Sequence, residues 1–371
     1  MDNQERLLYQ IALTKVKGVG TAWAKQLMEV IGDEKEIFNE KKSHLLQIPR
    51  MPAKIIHELR SPQTLREAEE ELNFALKNKI RVLFYKDQEF PERLHHCVDS
   101  PILLYAKGAA NFNPPKALSI VGTRNASRYG KEFCEKLVAD IAAEHPDTLI
   151  VSGLAYGIDI CAHRAALQNN LSTVAVLAHG LDRIYPAVHR RTAIDMLEEG
   201  ALLTEFPTQT EPERFNFVER NRIVAGMSDV VVVVESAGKG GSLITADIAN
   251  SYFREVFAVP GRLTDTYSAG TNKLIAQNKA ILLQDAEGLI KHMGWDMLSS
   301  EPVAVQQELF LDLTEEERVI YDALSLTEPK QVNILAVELN IPVSELFFIL
   351  LELEMKNIVK ALPGGMYKLA L

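Results

Sequence analysis

The 371-residue sequence contains no GxxxxGK[ST] run, so it lacks the loop with which nucleotide-hydrolysing proteins hold triphosphates. It also lacks the GxGxxG spacing of a dinucleotide site, because Gly122 stands without glycine partners at those positions. Cysteine is scarce. Cys97, Cys134 and Cys161 are the only three and form no CxxC pair, which fits a reducing compartment and neither a disulfide framework nor a zinc site. No apolar run approaches the length of a membrane span, and the opening MDNQERLLYQ is charged and amphipathic, unlike a secretory leader. A cytoplasmic location without a membrane partner is expected. With a net charge of −10, the chain lacks the overall positive potential of a general duplex-DNA binder.

Basic side chains nevertheless gather in the middle of the chain: Arg124, Arg128 and Lys131, then Arg183, Arg190 and Arg191, then Arg214, Arg220 and Arg222. The first group belongs to the most informative stretch, Ser119 to Gly130, SIVGTRNASRYG. An apolar strand there runs into a small-residue turn that carries an arginine at the start of a helix. Backbone N–H groups and a guanidinium at a helix start hold phosphate oxygens favourably. The turn reads as a phosphate cradle, with Arg124 as its main cation and Gly122, Thr123 and Ser127 adding amide and hydroxyl donors.

A chain of this length divides into two or three domains. Residues 5 to 75 read as helices, with Lys17-Gly18-Val19-Gly20 between the first two in the manner of a helix-hairpin-helix. Such a hairpin either meets a DNA phosphate or simply packs two helices. From about residue 80 strands and helices alternate, through IRVLFY, ALSIVGT, TLIVSG, TVAVLAH, ALLTEF, DVVVVVES, EVFAVPG and AILLQ. Continuous β-branched runs of this kind belong to parallel strands buried on both faces. The expected fold is therefore α/β, a Rossmann-like, doubly wound and mostly parallel sheet whose ligands sit beyond the strand carboxyl ends. Six of those ends carry small or functional residues: Gly122-Thr123-Arg124, Ser152-Gly153, His179-Gly180, Thr204-Glu205, Glu235-Ser236 and Pro260-Gly261. Their convergence on one edge of the sheet marks a site.

Residues 294–312 read as a linker, with Ser299-Ser300-Glu301-Pro302. Beyond it Thr314 and Glu317 form a capping-box pattern, two further helices follow, and VKALPGGMYKLA closes a hairpin, a winged-helix arrangement. Residues 313–371 carry five Lys/Arg against nine Asp/Glu, and the third helix carries Glu345, Glu352 and Glu354. That balance favours an interaction or structural role over reading duplex DNA.

The motifs GTRNASRYG, SGLAYGID with AH, GLDRIYP, TEFP, FVERNRIVAG, GGSLITADIA, VFAVPG and SAGTNKLI, in this order over about residues 80 to 285, make the chain similar to the DprA/Smf family of DNA-processing proteins. The resemblance implies a helical helix-hairpin-helix/SAM-like domain at 1–78, an extended Rossmann-like domain at 79–293 and a winged helix at 313–371. It further implies a protein without enzymatic activity or cofactor. Such a protein binds single-stranded DNA, loads the RecA recombinase onto it during natural transformation, and works as a homodimer.

Single strands are held by a positive groove with aromatic faces for the bases, and the chain offers both. The resemblance assigns Arg214 to a phosphate and Phe217 to base stacking, with core packing as the alternative for Phe217. It matches Arg220, Asn221 and Arg222 to an RNR motif in which one arginine serves as an internal brace. Ser152, Gly153 and Gly157 shape the groove floor. Tyr156 stands where relatives carry a cation and offers a stacking face instead; His189-Arg190 and AQNKA also depart from the family pattern. Lys239, Gly241 and Ser242, ahead of the helix through Thr245, form either a second anion site or a strand-to-helix loop capped by Ser242. His163 falls on an apolar helix face as a core histidine. The competing reading is a nucleotide phosphoribohydrolase-like enzyme of the lysine-decarboxylase-like type, using Glu205 and Glu235 as carboxylates. The PGGxGT loop of those enzymes is absent, and no catalytic residue or metal ligand stands out.

Overall fold

The computed structural model describes residues 3–296, 313–326, 328–362 and 364–370. The expected linker thus lies, from residue 297 onward, outside the described residues.

The N-terminal part is helical: α1 (Asn3–Lys15), α2 (Thr21–Ile31), α3 (Glu34–Asn39), α4 (Lys42–Leu45), α5 (Ala53–Leu59) and α6 (Pro62–Lys77). Gly18 turns the chain between α1 and α2 at φ 90°, a conformation open to glycine at little cost. Asp33 caps α3 by accepting from the amides of Lys35 and Glu36. These helices bury Ile11, Leu13, Leu27, Ile37 and Ile56 and continue into the sheet through Phe84 and Tyr105.

The central part contains β1 (Arg81–Phe84), α7 (Glu92–His95), β2 (Leu103–Gly108), β3 (Lys116–Val121), α8 (Arg128–Glu144), β4 (Thr148–Ser152), α9 (Ile158–Gln168) and β5 (Thr173–Val176). After them come α10 (Arg190–Asp195), β6 (Ala201–Thr204), α11 (Arg214–Gly226), β7 (Val230–Val233), α12 (Gly241–Ser251), β8 (Glu255–Ala258), α13 (Ala269–Ala276), β9 (Ile281–Leu282) and α14 (Ala286–His292). The sheet order is β1-β2-β6-β5-β4-β3-β7-β8-β9. From β6 to β9 all neighbours run parallel, whereas β2 lies antiparallel to β6 and β1 antiparallel to β2. The expected doubly wound sheet is thus present, with one strand more than the sequence reading identified, β2.

The chain leaves β3 toward β4 on one side and later returns to its other side as β7, so the direction of winding reverses at β3/β7. Crevices at such a reversal are where open α/β sheets place ligands. Both faces of the sheet are covered. One is packed by Ile223, Val224 and Ala246 from α11 and α12, the other by Cys134, Leu137, Ile158 and Ala162 from α8 and α9.

The C-terminal part comprises α15 (Glu315–Ala323), β10 (Lys330–Gln331), α16 (Val332–Leu339), α17 (Val343–Met355), β11 (Val359–Leu362) and β12 (Met366–Leu369), with strand order β10-β12-β11. Three helices and a wing are therefore present. The Thr314 hydroxyl accepts from the Glu317 amide while the Glu317 carboxylate accepts from the Thr314 amide, completing the expected capping box. This part leans on the central one at the turn after α12, where Phe253 packs 6.0 Å from Phe347 and Gln331 Nε2 donates to Tyr252 O. Among the described residues no single helix is long and apolar enough to cross a membrane.

Candidate nucleic-acid interface

The turn after β3 is held from below. Thr123 N donates to Glu235 O at 2.7 Å, and Ile158 N donates to Thr123 O at 3.2 Å. A Cβ at Gly157, which sits at φ 78°, would overlap Thr123 O, so this close crossing of two loops requires glycine there. Held in this way, Arg124 projects outward and is exposed.

Helix α11 meets it from the side. Along the helix Arg214 is exposed and Phe217 and Asn221 are half-buried, whereas Arg220, Ile223 and Val224 are buried. The Arg124 guanidinium lies over the Phe217 ring, Cζ 5.1 Å from its centroid, a cation–π arrangement. Tyr185 completes the cluster, 6.0 Å from Phe217 and 43% exposed. On the other side of Arg124, Tyr156 is 48% exposed and stands edge-on to His189 at 5.0 Å. His189 is fixed in turn by Nδ1 against Leu154 O. One rim of the sheet therefore presents a guanidinium and three accessible rings, Phe217 only partly, with Arg214 exposed at the start of α11. Among the described residues Arg124 has no ion-pair partner.

Several expected contact residues face inward, and for them the expectation is corrected. Arg220 is only 4% exposed, packed against Gly153 so closely that a Cβ there would overlap its guanidinium. Burial lowers its pKa to about 10; nearby Asp159 opposes the shift and Arg124 adds to it. Asp159 itself is pushed upward by burial, against the pull of Arg220. Arg220 is thus an internal brace under the β4–α9 loop. Arg222 is tied to the Glu205 carboxylate and donates to Asp99 O, so its guanidinium also serves the fold. Ser152 is fully buried, its hydroxyl on Ile120 O at 2.6 Å.

Ser127 caps α8 by accepting from the Gly130 amide. Its own amide and hydroxyl donate to the Glu235 carboxylate at 2.8 and 2.5 Å. The anion at the start of α8 is therefore the protein's own, which leaves Ser127 no free donor for a phosphate.

The loop after β7 differs from expectation as well. The N-cap of α12 is Gly240, without a side-chain cap, and the Ser242 hydroxyl donates to Ser236 Oγ instead. Ser242 and Thr245 are buried, while Lys239 and Gly241 are exposed. Among the described residues, no ring, ion-pair or hydrogen-bond contact ties Lys239 to the Arg124 cluster.

The carboxylates of the hydrolytic reading are both engaged, Glu205 by Arg222 and Glu235 by Ser127. His163 is fully buried. Thr173 Oγ1 donates to Ile150 O and accepts from His163 Nδ1–H, so Nε2 is bare, and burial lowers the pKa of the ring to about 3. It is a core histidine. Among the described residues no group of three or more His, Cys, Asp or Glu is placed to hold a metal ion.

The sequence reading did not single out Arg164, which lines an open cavity beside the rim together with Arg124, Lys131 and Tyr156. Its signal was available: Gly157, Cys161, Arg164 and Gln168 recur at helical spacing along α9.

Comparison with known proteins agrees with this architecture. The family model described as DNA recombination-mediator protein A matches residues 81–294, and the DprA winged helix domain matches residues 300–365. Protein Smf of Escherichia coli is 36% identical over 329 residues, covering 82% of this chain and 85% of the relative. The DNA processing protein DprA of Bacillus subtilis is 41% identical over 204 residues, 54% of this chain and 68% of its own. Among solved structures, DNA processing protein A of Streptococcus pneumoniae superposes with a TM-score of 0.61 at 29% identity, covering 78% of this chain and 98% of that one. DNA processing protein A of Helicobacter pylori, described for its single-stranded DNA binding mode, superposes with a TM-score of 0.53 at 29% identity, covering 59% and 97%.

Proposed function

The chain belongs to the DNA recombination-mediator protein A family, also called DprA/Smf, and from that premise we propose that it binds single-stranded DNA along the sheet rim and hands it to the RecA recombinase. The observation that carries this reading is Arg124 lying over Phe217 beside Tyr185, because a cation for phosphates and rings for bases are what sequence-tolerant strand binding requires. In this reading Arg124 and Arg214 hold phosphates and Phe217, Tyr185 and Tyr156 stack bases. Gly122, Thr123, Gly157 and Asn221 border the track, Gly153 lies in its floor, and Lys239 and Gly241 serve a flanking phosphate. The Helicobacter pylori relative, described for binding single strands, supports it. Protection of incoming strands during natural transformation, and action as a homodimer, belong to the same proposal. So does the division into parts at 1–78, 79–293 and 313–371 joined by the linker 294–312.

The winged helix takes a different part. Phe348, Leu351 and Met355 are 73%, 54% and 78% exposed along α17, among Glu345, Glu352 and Glu354. An apolar stripe with acidic neighbours repels phosphates, and we assign this face to protein contact.

The test is a titration with fluorescent dT oligomers of increasing length. Binding that tightens with length up to one site size and weakens with salt is expected; absence of binding at low salt would sink the reading. For the recombinase step, the protein should speed RecA assembly on single strands, and an unchanged rate would remove that part alone.

A further inference from the structure

Beside the rim, a cavity of about 670 Å³ runs between the outer faces of α8 and α9, from Arg124 and Tyr156 past Lys131 and Arg164 toward Gln168. We propose that this cavity continues the track, receiving further nucleotides of the same strand with their phosphates on Lys131 and Arg164; the inference rests on the single-strand reading above.

The cations of α8 divide by direction. Arg128 and Lys136 carry i,i+4 partners, Glu132 at 2.6 Å and Asp140 at 2.5 Å. Lys131, which faces the cavity, has no ion-pair partner among the described residues and is exposed. Opposite it, the exposed Arg164 donates Nε to Thr192 Oγ1 at 3.3 Å, a neutral partner that orients the guanidinium and leaves its charge uncompensated. Arg124, Lys131 and Arg164 thus line one trough with their charge directed into it.

The dimensions suit a polymer. From Gly157 to Arg164 the wall advances along α9 by ~10 Å at ~1.5 Å per residue, the span of two or three phosphates at ~3.4 Å or somewhat more each. The walls are largely exposed side chains, open along the surface, and Tyr156 at the mouth offers its ring to a base leaving the rim. One feature opposes the phosphates: Glu135 also lines the cavity, its carboxylate 3.8 Å from Cys161 Sγ. It makes a prediction of opposite sign possible.

The experiment uses the full-length protein with a short dT strand of ~5 nucleotides and a long one of ~20. Removing two phosphate contacts lowers the single-strand salt slope by ~1.4, or ~25-fold in affinity at ~0.1 M salt. The variant carrying both Lys131→Ala and Arg164→Ala should lose that much on the long strand and nothing on the short one, whereas Glu135→Gln should tighten the long strand only. Equal loss on both lengths, or none on the long strand, overturns the cavity assignment while leaving the rim reading intact. If the wild type binds neither strand, both fall. All three positions are exposed, and a thermal melt identical to wild type verifies that the fold is unchanged.

Discussion

Replacing Arg124 and Phe217 separates the two kinds of contact the rim is proposed to make. Arg124 contributes a charge, and neutralising one phosphate changes log K by ~0.7 per decade of salt on single strands. Arg124→Ala should therefore flatten the salt dependence by ~0.7 and weaken binding ~5-fold at ~0.1 M. Phe217 contributes a face. Loss of one base stack, ~1–3 kcal/mol, corresponds to ~5- to 150-fold weaker binding with the salt slope unchanged. Because the guanidinium lies 5.1 Å above that ring, the two effects cannot be independent. The ring orients the cation, so the double variant should lose less than the product of the single losses. Fluorescence anisotropy with a labelled dT strand, repeated at four or more salt concentrations from ~0.05 to ~0.3 M, reads affinity and slope together. The reasoning is refuted if Arg124→Ala leaves the slope untouched, or if Phe217→Ala lowers it as much as Arg124→Ala does.

Three further outcomes follow from the interior. Glu235→Ala removes the acceptor of two charge-assisted bonds from Ser127, each ~1.5–3 kcal/mol, and should lower the melting temperature in a way that inorganic phosphate repairs more in the variant than in wild type; equal stabilisation of both would speak against an anion seat at α8. Gly153→Ala drives a methyl into the Arg220 guanidinium and should cost ~1–3 kcal/mol in denaturant unfolding, so an unchanged midpoint would show that Arg220 is not a tight brace. His163, whose folded pKa of about 3 lies below its unfolded value near 6.5, contributes stability present above ~pH 6.5 and lost as pH falls toward 3. By pH 5 the loss reaches ~2 kcal/mol, and His163→Asn should abolish that part of the acid sensitivity. Parallel acid profiles for wild type and variant would disprove it.

What was legible in the sequence was local. The Val230–Val233 run declares a buried parallel strand by its branching, and Thr314 with Glu317 declares a helix start, because both signals lie within a few residues. Strand β2 was missed because LLYA in LLYAKG has neither β-branched residues nor alternation, and its place depends on pairing with β6, nearly a hundred residues later. The inward turn of Arg220 was readable in principle: it stands three and four residues before the apolar Ile223 and Val224, on the row of α11 that is buried. A motif shared across a family does not disclose that division, since buried braces persist in motifs as well as contacts do. Glu235 was the least legible. Its place beside Ser127 follows from β7 lying next to β3, a matter of sheet order that no local pattern encodes.

That carboxylate also bears on the selectivity expected of the rim. Free nucleotides would dock by seating a terminal phosphate at the start of the helix that follows β3, and in this protein Glu235 already occupies the seat. A free nucleotide would meet a carboxylate there, whereas a chain of nucleotides would span the separated side chains of the rim. On the proposed single-strand reading, the rim thereby favours long strands over small phosphate compounds.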